Sequence, residues 1–69
     1  MKTIHVVING DEKDIPSGQS ITDLLGELGL HPRLIVVEHN REILDRELFS
    51  KTELRDGDAL ELVHFVGGG

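Results

Sequence analysis

The chain has 69 residues, no cysteine, tryptophan or tyrosine, and a formal net charge of −6. A chain this short buries only about 60% of its unfolded surface, enough for one small domain with a thin core but not for a deep catalytic cleft. The missing cysteine excludes disulfides, thiolate metal sites and a cysteine nucleophile, and the acidic balance disfavours nucleic-acid phosphates as partners.

Met1-Lys2-Thr3 leads straight into an alternating strand pattern, so no secretory leader is expected. No apolar run is long enough to span a bilayer, so no membrane partner is expected and the cytoplasm is the expected location. Residues 3–9 read as a strand with Ile4, Val6 and Ile8 on one face and His5, Val7 and Asn9 on the other. Asn9-Gly10 is a strong hairpin signal, and a short second strand is predicted at 13–15, ending at Pro16. Ser20 followed by Asp23 forms a capping-box-like start to a helix over 21–28. Its Ile21, Leu24, Leu25 and Leu28 recur at helical spacing and should face the core, and Gly29 is placed to stop it.

A third strand is predicted at 34–39 and a short fourth at 42–44, joined by Asn40-Arg41. Leu48 and Leu54 should plug the underside of an irregular crossover, and 55–58 should turn into a last strand over 59–66. Asp56 and Asp58 suit turn residues that bond local backbone N–H groups. The economical arrangement is α+β: a mixed sheet of four to five strands with one principal helix, the first and last strands parallel at the centre.

In the last strand, Leu60 and Leu62 should face the helix. Val63 and Phe65 then lie on the other face with Val7 beside them, and the strand ends at Val66. An apolar patch on a small protein marks a partner surface, here Val7, Val63, Phe65 and Val66. A bulge that turned Phe65 inward would remove the ring from that patch. The four histidines are scattered without ligand spacing, so no metal is expected. His5 and His64 should sit on neighbouring strands and point to opposite faces.

Gly67, Gly68 and Gly69 follow the last strand directly. Without Cβ atoms, such a run can thread a narrow channel. At ~3.3 Å per residue the three glycines would carry a terminal carboxylate roughly 10 Å past the strand. The expected organisation is a folded domain over 1–66 and a flexible tail over 67–69.

The order strand–turn–strand–helix, with Asn9-Gly10, Thr22-Asp23-Leu24-Leu25, Glu38 followed by Asn40, Asp56-Gly57-Asp58 and a final Val63-His64-Phe65-Val66-Gly67-Gly68-Gly69, resembles the ThiS family of β-grasp, ubiquitin-like sulfur carriers. The resemblance spans essentially the whole chain. Two positions depart from it, both at the 39–42 hairpin: Arg41 stands where glycine is usual, and His39 where an apolar residue is usual. The resemblance implies that the Gly69 carboxylate is the sulfur-carrying group and that a ThiF-like enzyme adenylates it with ATP. Sulfur then replaces an oxygen, and the thiocarboxylate supplies a ThiG-like thiazole synthase in thiamine biosynthesis. The chain would bind no cofactor, would be monomeric when free and would act as a co-substrate, not an enzyme. It has no phosphate-cradling GxxxxGK[ST] loop, so ATP belongs to the partner. A MoaD-like subunit of molybdopterin synthase and a ubiquitin-like protein modifier share the same fold and tail. A plain β-grasp interaction module would leave the glycines idle.

Overall fold

Alternation makes the first hairpin. In the computed structural model, which describes residues 2–64, β1 (Thr3–Ile8) turns its Val6 and Ile8 fully into the core and His5 and Val7 away from it. Asn9 and Gly10 both take positive φ, 50° and 84°, as a two-residue hairpin turn requires. β2 (Asp11–Pro16) returns antiparallel, in register from Ile8 opposite Asp11 to Thr3 opposite Pro16. It is longer than the 13–15 segment that composition predicts. Asp11, Glu12 and Asp14 are poor strand formers, but pairing to β1 imposes the extended backbone on them. Only Ile15 of this strand is buried, and the charged remainder suits a sheet edge.

The helix α1 (Ile21–Glu27) opens on the predicted capping box. Ser20 Oγ accepts from the Asp23 N–H at 3.1 Å, and Asp23 Oδ2 accepts from the Ser20 N–H at 3.0 Å. It closes on Gly29 at φ 71°, where Leu30 N–H reaches the Leu25 carbonyl at 2.8 Å and Gly29 N–H reaches that of Gly26 at 3.1 Å. That pair of bonds satisfies the last carbonyls of the helix. Ile21, Leu24 and Leu25 are buried as the spacing predicts; Leu28 is not, being the C-cap and 37% exposed.

A short 3-10 turn (Pro32–Leu34) leads into β3 (Ile35–His39), and Asn40-Arg41, both at positive φ, turn it into β4 (Glu42–Leu44). The crossover then makes a second 3-10 turn (Arg46–Leu48). Here the expected plug is wrong by one residue. Phe49 is buried beside Leu54, whereas Leu48 is 42% exposed, because the turn rotates position 49 inward. Ile21 N–H bonds the Thr52 carbonyl and Leu54 N–H that of Gln19, fastening the crossover to the start of α1.

β5 (Ala59–His64) inserts between β1, to which it is parallel, and β3, to which it is antiparallel. The sheet order is β2-β1-β5-β3-β4. Among the described residues this is a five-stranded mixed sheet with a single α-helix on one face, the β-grasp arrangement. None of its helices is long and apolar enough to cross a membrane.

Candidate functional site at the end of the fifth strand

The expected sulfur-carrying group and its tail, Gly67 to Gly69, lie outside the described residues, as do Phe65, Val66 and the expected 66/67 domain boundary. The strand that leads to them is held at both ends.

Its start is fixed by a polar cluster around Asp58, which is 7% exposed. Asp58 Oδ2 accepts from the Arg55 N–H at 2.9 Å and from His39 Nε2 at 2.9 Å, and its Oδ1 accepts from Asn40 Nδ2 at 3.1 Å. Asn40 in turn brackets Ala59: its Oδ1 accepts from the Ala59 N–H at 2.9 Å, and its own N–H donates to the Ala59 carbonyl at 2.8 Å. Burial pushes the Asp58 carboxyl up, but the hydrogen bonds from His39, Arg55 N–H and Asn40 outweigh it and hold the group below the ordinary aspartate value of 3.8. Because the carboxylate only accepts, His39 carries its proton on Nε2. So His39, where an apolar residue was expected from the resemblance, serves as a partner for a buried charge.

Asp58 bonds locally, as expected, but also across the fold. Asp56 does not bond locally: its Oδ1 accepts from the His5 N–H at 2.7 Å, joining the turn to β1. Gly57, at φ 89°, adds an N–H bond to the His5 carbonyl at 2.7 Å.

The far end of β5 is held by Asn9. The last backbone pair between β1 and β5 is Ile8 with Leu60, after which β1 turns away. Asn9 N–H still reaches the Leu60 carbonyl at 2.9 Å. Its side chain then takes over, with Oδ1 accepting from the Leu62 N–H at 2.7 Å and Nδ2 donating to the Leu62 carbonyl at 3.3 Å.

The sheet face away from α1 is open. Val63 is 58% exposed and lies opposite Val36, itself 37% exposed. Ile43, 73% exposed, follows across the sheet, opposite Glu38. Val7 shares this face but pairs with Ala59, four positions before Val63 in the chain, so the two are not neighbours as expected. Val36 takes the place beside Val63 that was expected of Val7, and Ile43 lies one strand further out. Glu12, Asp14, Glu38 and Glu61 make this face acidic, in line with the alternation of their strands. Between the first two lies His5, with Nδ1 3.0 Å from Asp14 Oδ1 and Nε2 2.8 Å from Glu12 Oε1. The Asp14 and Glu12 hydrogen bonds raise its pKa above 6.5. Two carboxylate acceptors on two ring nitrogens fit an imidazolium.

On the opposite, helix side, His64 joins Leu28, Leu30, Ile35 and Leu62 along a groove of about 360 Å³. Among the described residues no group of three or more histidines, cysteines and carboxylates could hold a metal ion.

This geometry can be set beside known proteins. The ThiS family model matches residues 6–69, the glycine run included. The chain belongs to the ThiS family. It is 46% identical over 50 residues to the sulfur carrier protein ThiS of Bacillus subtilis, covering 72% of this chain and 76% of that one. It is 42% identical over 66 residues to the thiazole synthase of Paramagnetospirillum magneticum, covering 96% of this chain but 20% of that protein. The chain thus spans a fifth of the length of this longer relative. The crystal structure of the thiamine biosynthesis protein ThiS from Geobacter metallireducens superposes with a TM-score of 0.79 at 36% identity, covering 96% of this chain and all of that one.

Within this ThiS-family chain, sequence reasoning placed Val63 on the open face and did not name Val36 and Ile43, which share it. The signal was available in the alternation of β3 and β4, where both fall on the face opposite Ile35, Val37 and Leu44. It also missed the His39–Asp58–Asn40 cluster, which joins residues 18 or 19 positions apart.

Proposed function

We propose that this chain is a sulfur carrier of thiamine biosynthesis whose working group is the carboxylate of Gly69. An α-carboxyl ionises near pH 3.3–3.7, so at neutral pH it is a carboxylate and a poor acyl donor. A partner enzyme of the ThiF type removes that obstacle. The carboxylate oxygen attacks the α-phosphorus of ATP, forming an acyl-adenylate and releasing pyrophosphate. A sulfur nucleophile then attacks the acyl carbon and AMP leaves, giving the thiocarboxylate. Its sulfur passes to the substrate of a thiazole synthase in exchange for an oxygen, and the carrier is thereby regenerated as the carboxylate. The chain is a co-substrate throughout, and the ATP is bound by the partner. A cytoplasmic location and a monomeric free state accompany this reading.

The observation that carries it is the family match, which runs through Gly69 and so includes the glycines along with the fold. The likeness to thiazole synthases over nearly the whole chain supports that enzyme as the acceptor. The open face supplies a docking surface, Val63, Val36 and Ile43 with Glu38 and Glu61 beside them, for a partner with an apolar patch and a basic rim.

The test is intact mass after incubation with ATP, sulfide and a ThiF-type enzyme. Exchange of one oxygen for sulfur at the C-terminus is expected. Deleting Gly69 shortens the reach by about 3.3 Å, while reacting atoms must approach to roughly 3–3.5 Å, so thiocarboxylate formation should fall at least a hundredfold with no change in melting temperature. Equal thiolation of the truncated chain would overturn the proposal. Isopeptide conjugates to other proteins would make the chain a modifier instead.

A further inference from the structure

We infer that Asn9 is a positioning residue for the carrier reaction: its side chain holds the exit of β5 so that the tail leaves the domain from a fixed origin. The inference rests on the sulfur-carrier reading for the reaction it serves, and on the geometry of β5 for the device itself.

Backbone N–H and C=O groups of successive strand residues point to opposite sides, so along β5 every second residue faces β1. The β1-facing carbonyls of Asp58 and Leu60 receive N–H groups from Val7 and Asn9 at 2.9 Å each. The next pair of groups on that side belongs to Leu62. No β1 backbone remains to meet them, because the chain has turned at Asn9-Gly10. Leu62 is only 9% exposed, so leaving its N–H and carbonyl unpaired would be costly. The Asn9 amide answers with one acceptor and one donor, at 2.7 and 3.3 Å, in the manner of a peptide group. It extends the central ladder by one step beyond the end of β1.

Without this step, β5 past Leu60 would be held on the β3 side alone, through Leu62, Val63 and His64 against Val37, Val36 and Ile35. The last described part of the strand would become an edge. Gly69 follows His64 by only five positions. Freedom at Leu62 to His64 therefore adds substantially to the volume the carboxylate samples. An enzyme that takes the tail would have to order the strand end again on binding. That cost falls on the formation of the complex. Once the tail is seated, the reacting atoms stand as before. The signature is a raised KM with an unchanged kcat.

Asn9→Gly separates the side chain from the turn. Glycine accepts φ near 50° without strain, so the hairpin keeps its geometry and loses only the two amide bonds. Asn9→Asp keeps the acceptor for Leu62 N–H but sets an oxygen against the Leu62 carbonyl. Ile15→Val, in β2 and remote from the exit of β5, lowers stability by a comparable amount and serves as the control.

The experiment measures ATP–pyrophosphate exchange with a ThiF-type enzyme well below the melting temperature of every variant, together with amide hydrogen exchange of the free proteins. For Asn9→Gly, KM for the carrier should rise about tenfold with kcat within about twofold. The Leu62 amide should exchange at least about tenfold faster relative to that of Val6. Asn9→Asp should fall between Asn9→Gly and the parent, and Ile15→Val should leave KM unchanged. An unchanged KM in Asn9→Gly, or an equal rise in Ile15→Val, would overturn the positioning role while leaving the sulfur-carrier reading intact. Unaltered Leu62 protection in Asn9→Gly would overturn the clamp itself. Absence of exchange with the parent chain would overturn the carrier reading and the presentation role with it.

Discussion

The two faces of the sheet are built from alternate residues of the same strands, yet they do opposite work. Toward α1 lie Val6, Ile8, Ile35, Val37, Leu60 and Leu62, none more than 9% exposed. On the other side Val63, Val36 and Ile43 meet water beside Glu38 and Glu61, with Glu12 and Asp14 out on the β2 edge of the same face. Leu62 and Val63 are adjacent in sequence and differ sixfold in exposure, 9% against 58%. With a single α-helix among the described residues, only one face is covered from within. The difference teaches that the period-two pattern of the strands assigns stability to one face and leaves the other free for the proposed docking. Each should therefore be open to change without the other.

The sharpest test of the covered face is Phe49→Ala. The ring is 3% exposed and closes the core below the crossover. Removing it should cost about 3–5 kcal/mol in chemical denaturation. A loss below about 1 kcal/mol would mean that the crossover is not part of the core.

Next comes Asp58→Ala, which strands the Arg55 N–H and leaves His39 and Asn40 without their acceptor. The expected cost is about 1–3 kcal/mol at neutral pH. Because the folded carboxyl titrates below its ordinary 3.8, its contribution is present above that value and is lost as pH falls through the lower, folded value. The gap between parent and variant should therefore narrow in acid melts; a gap that stays constant to low pH would contradict the cluster as described.

Val63→Asp tests the open face. It should change stability by no more than about 0.5 kcal/mol while weakening the complex with the adenylating enzyme about tenfold, read by titration calorimetry. Marked unfolding, or unimpaired binding, would break the contrast between the faces.

The smallest effect belongs to His5→Gln. The His5 pKa is raised in the fold, so the carboxylate contacts stabilise fully below pH 6.5 and fade as pH climbs through the higher folded value. The side chain is 46% exposed, so solvent screening keeps the effect small. Melting temperatures of the parent should decline slightly over that interval, and those of His5→Gln should not. Parallel profiles would show that the two carboxylates contribute nothing through His5.

Much of the fold could be read from local signals because those signals are local chemistry. The Ser20–Asp23 box, the Gly29 stop and the Asn9-Gly10 turn each depend on residues within a few positions of one another. The errors lie where contacts are distant. β2 extends over poor strand formers because β1 pairs with them. Leu28 and Leu48, apolar and expected inside, remain half outside, while Phe49 goes in, because rotation at the end of a short turn is set by what it packs against. On the open face, alternation makes the facing of Val63, Val36 and Ile43 legible, whereas which of them adjoin depends on strand order and register. Val7 pairs with Ala59 and Val36 with Val63, and neither partner follows from the one-dimensional pattern.

By itself, then, the sequence determined the elements, the polarity of each strand's two faces, the absence of thiol chemistry and the glycine run that carries the proposed function. These follow from backbone preference, side-chain period and composition. The tertiary structure alone decided that Asp58 would bind His39 and Asn40, that Asp56 would reach β1 instead of its own turn, and that Asn9 would serve both the hairpin and Leu62. The physical reason is that a buried polar group must find a partner wherever the fold brings one within about 3 Å. In Asn9 and Leu62 those partners are 53 residues apart.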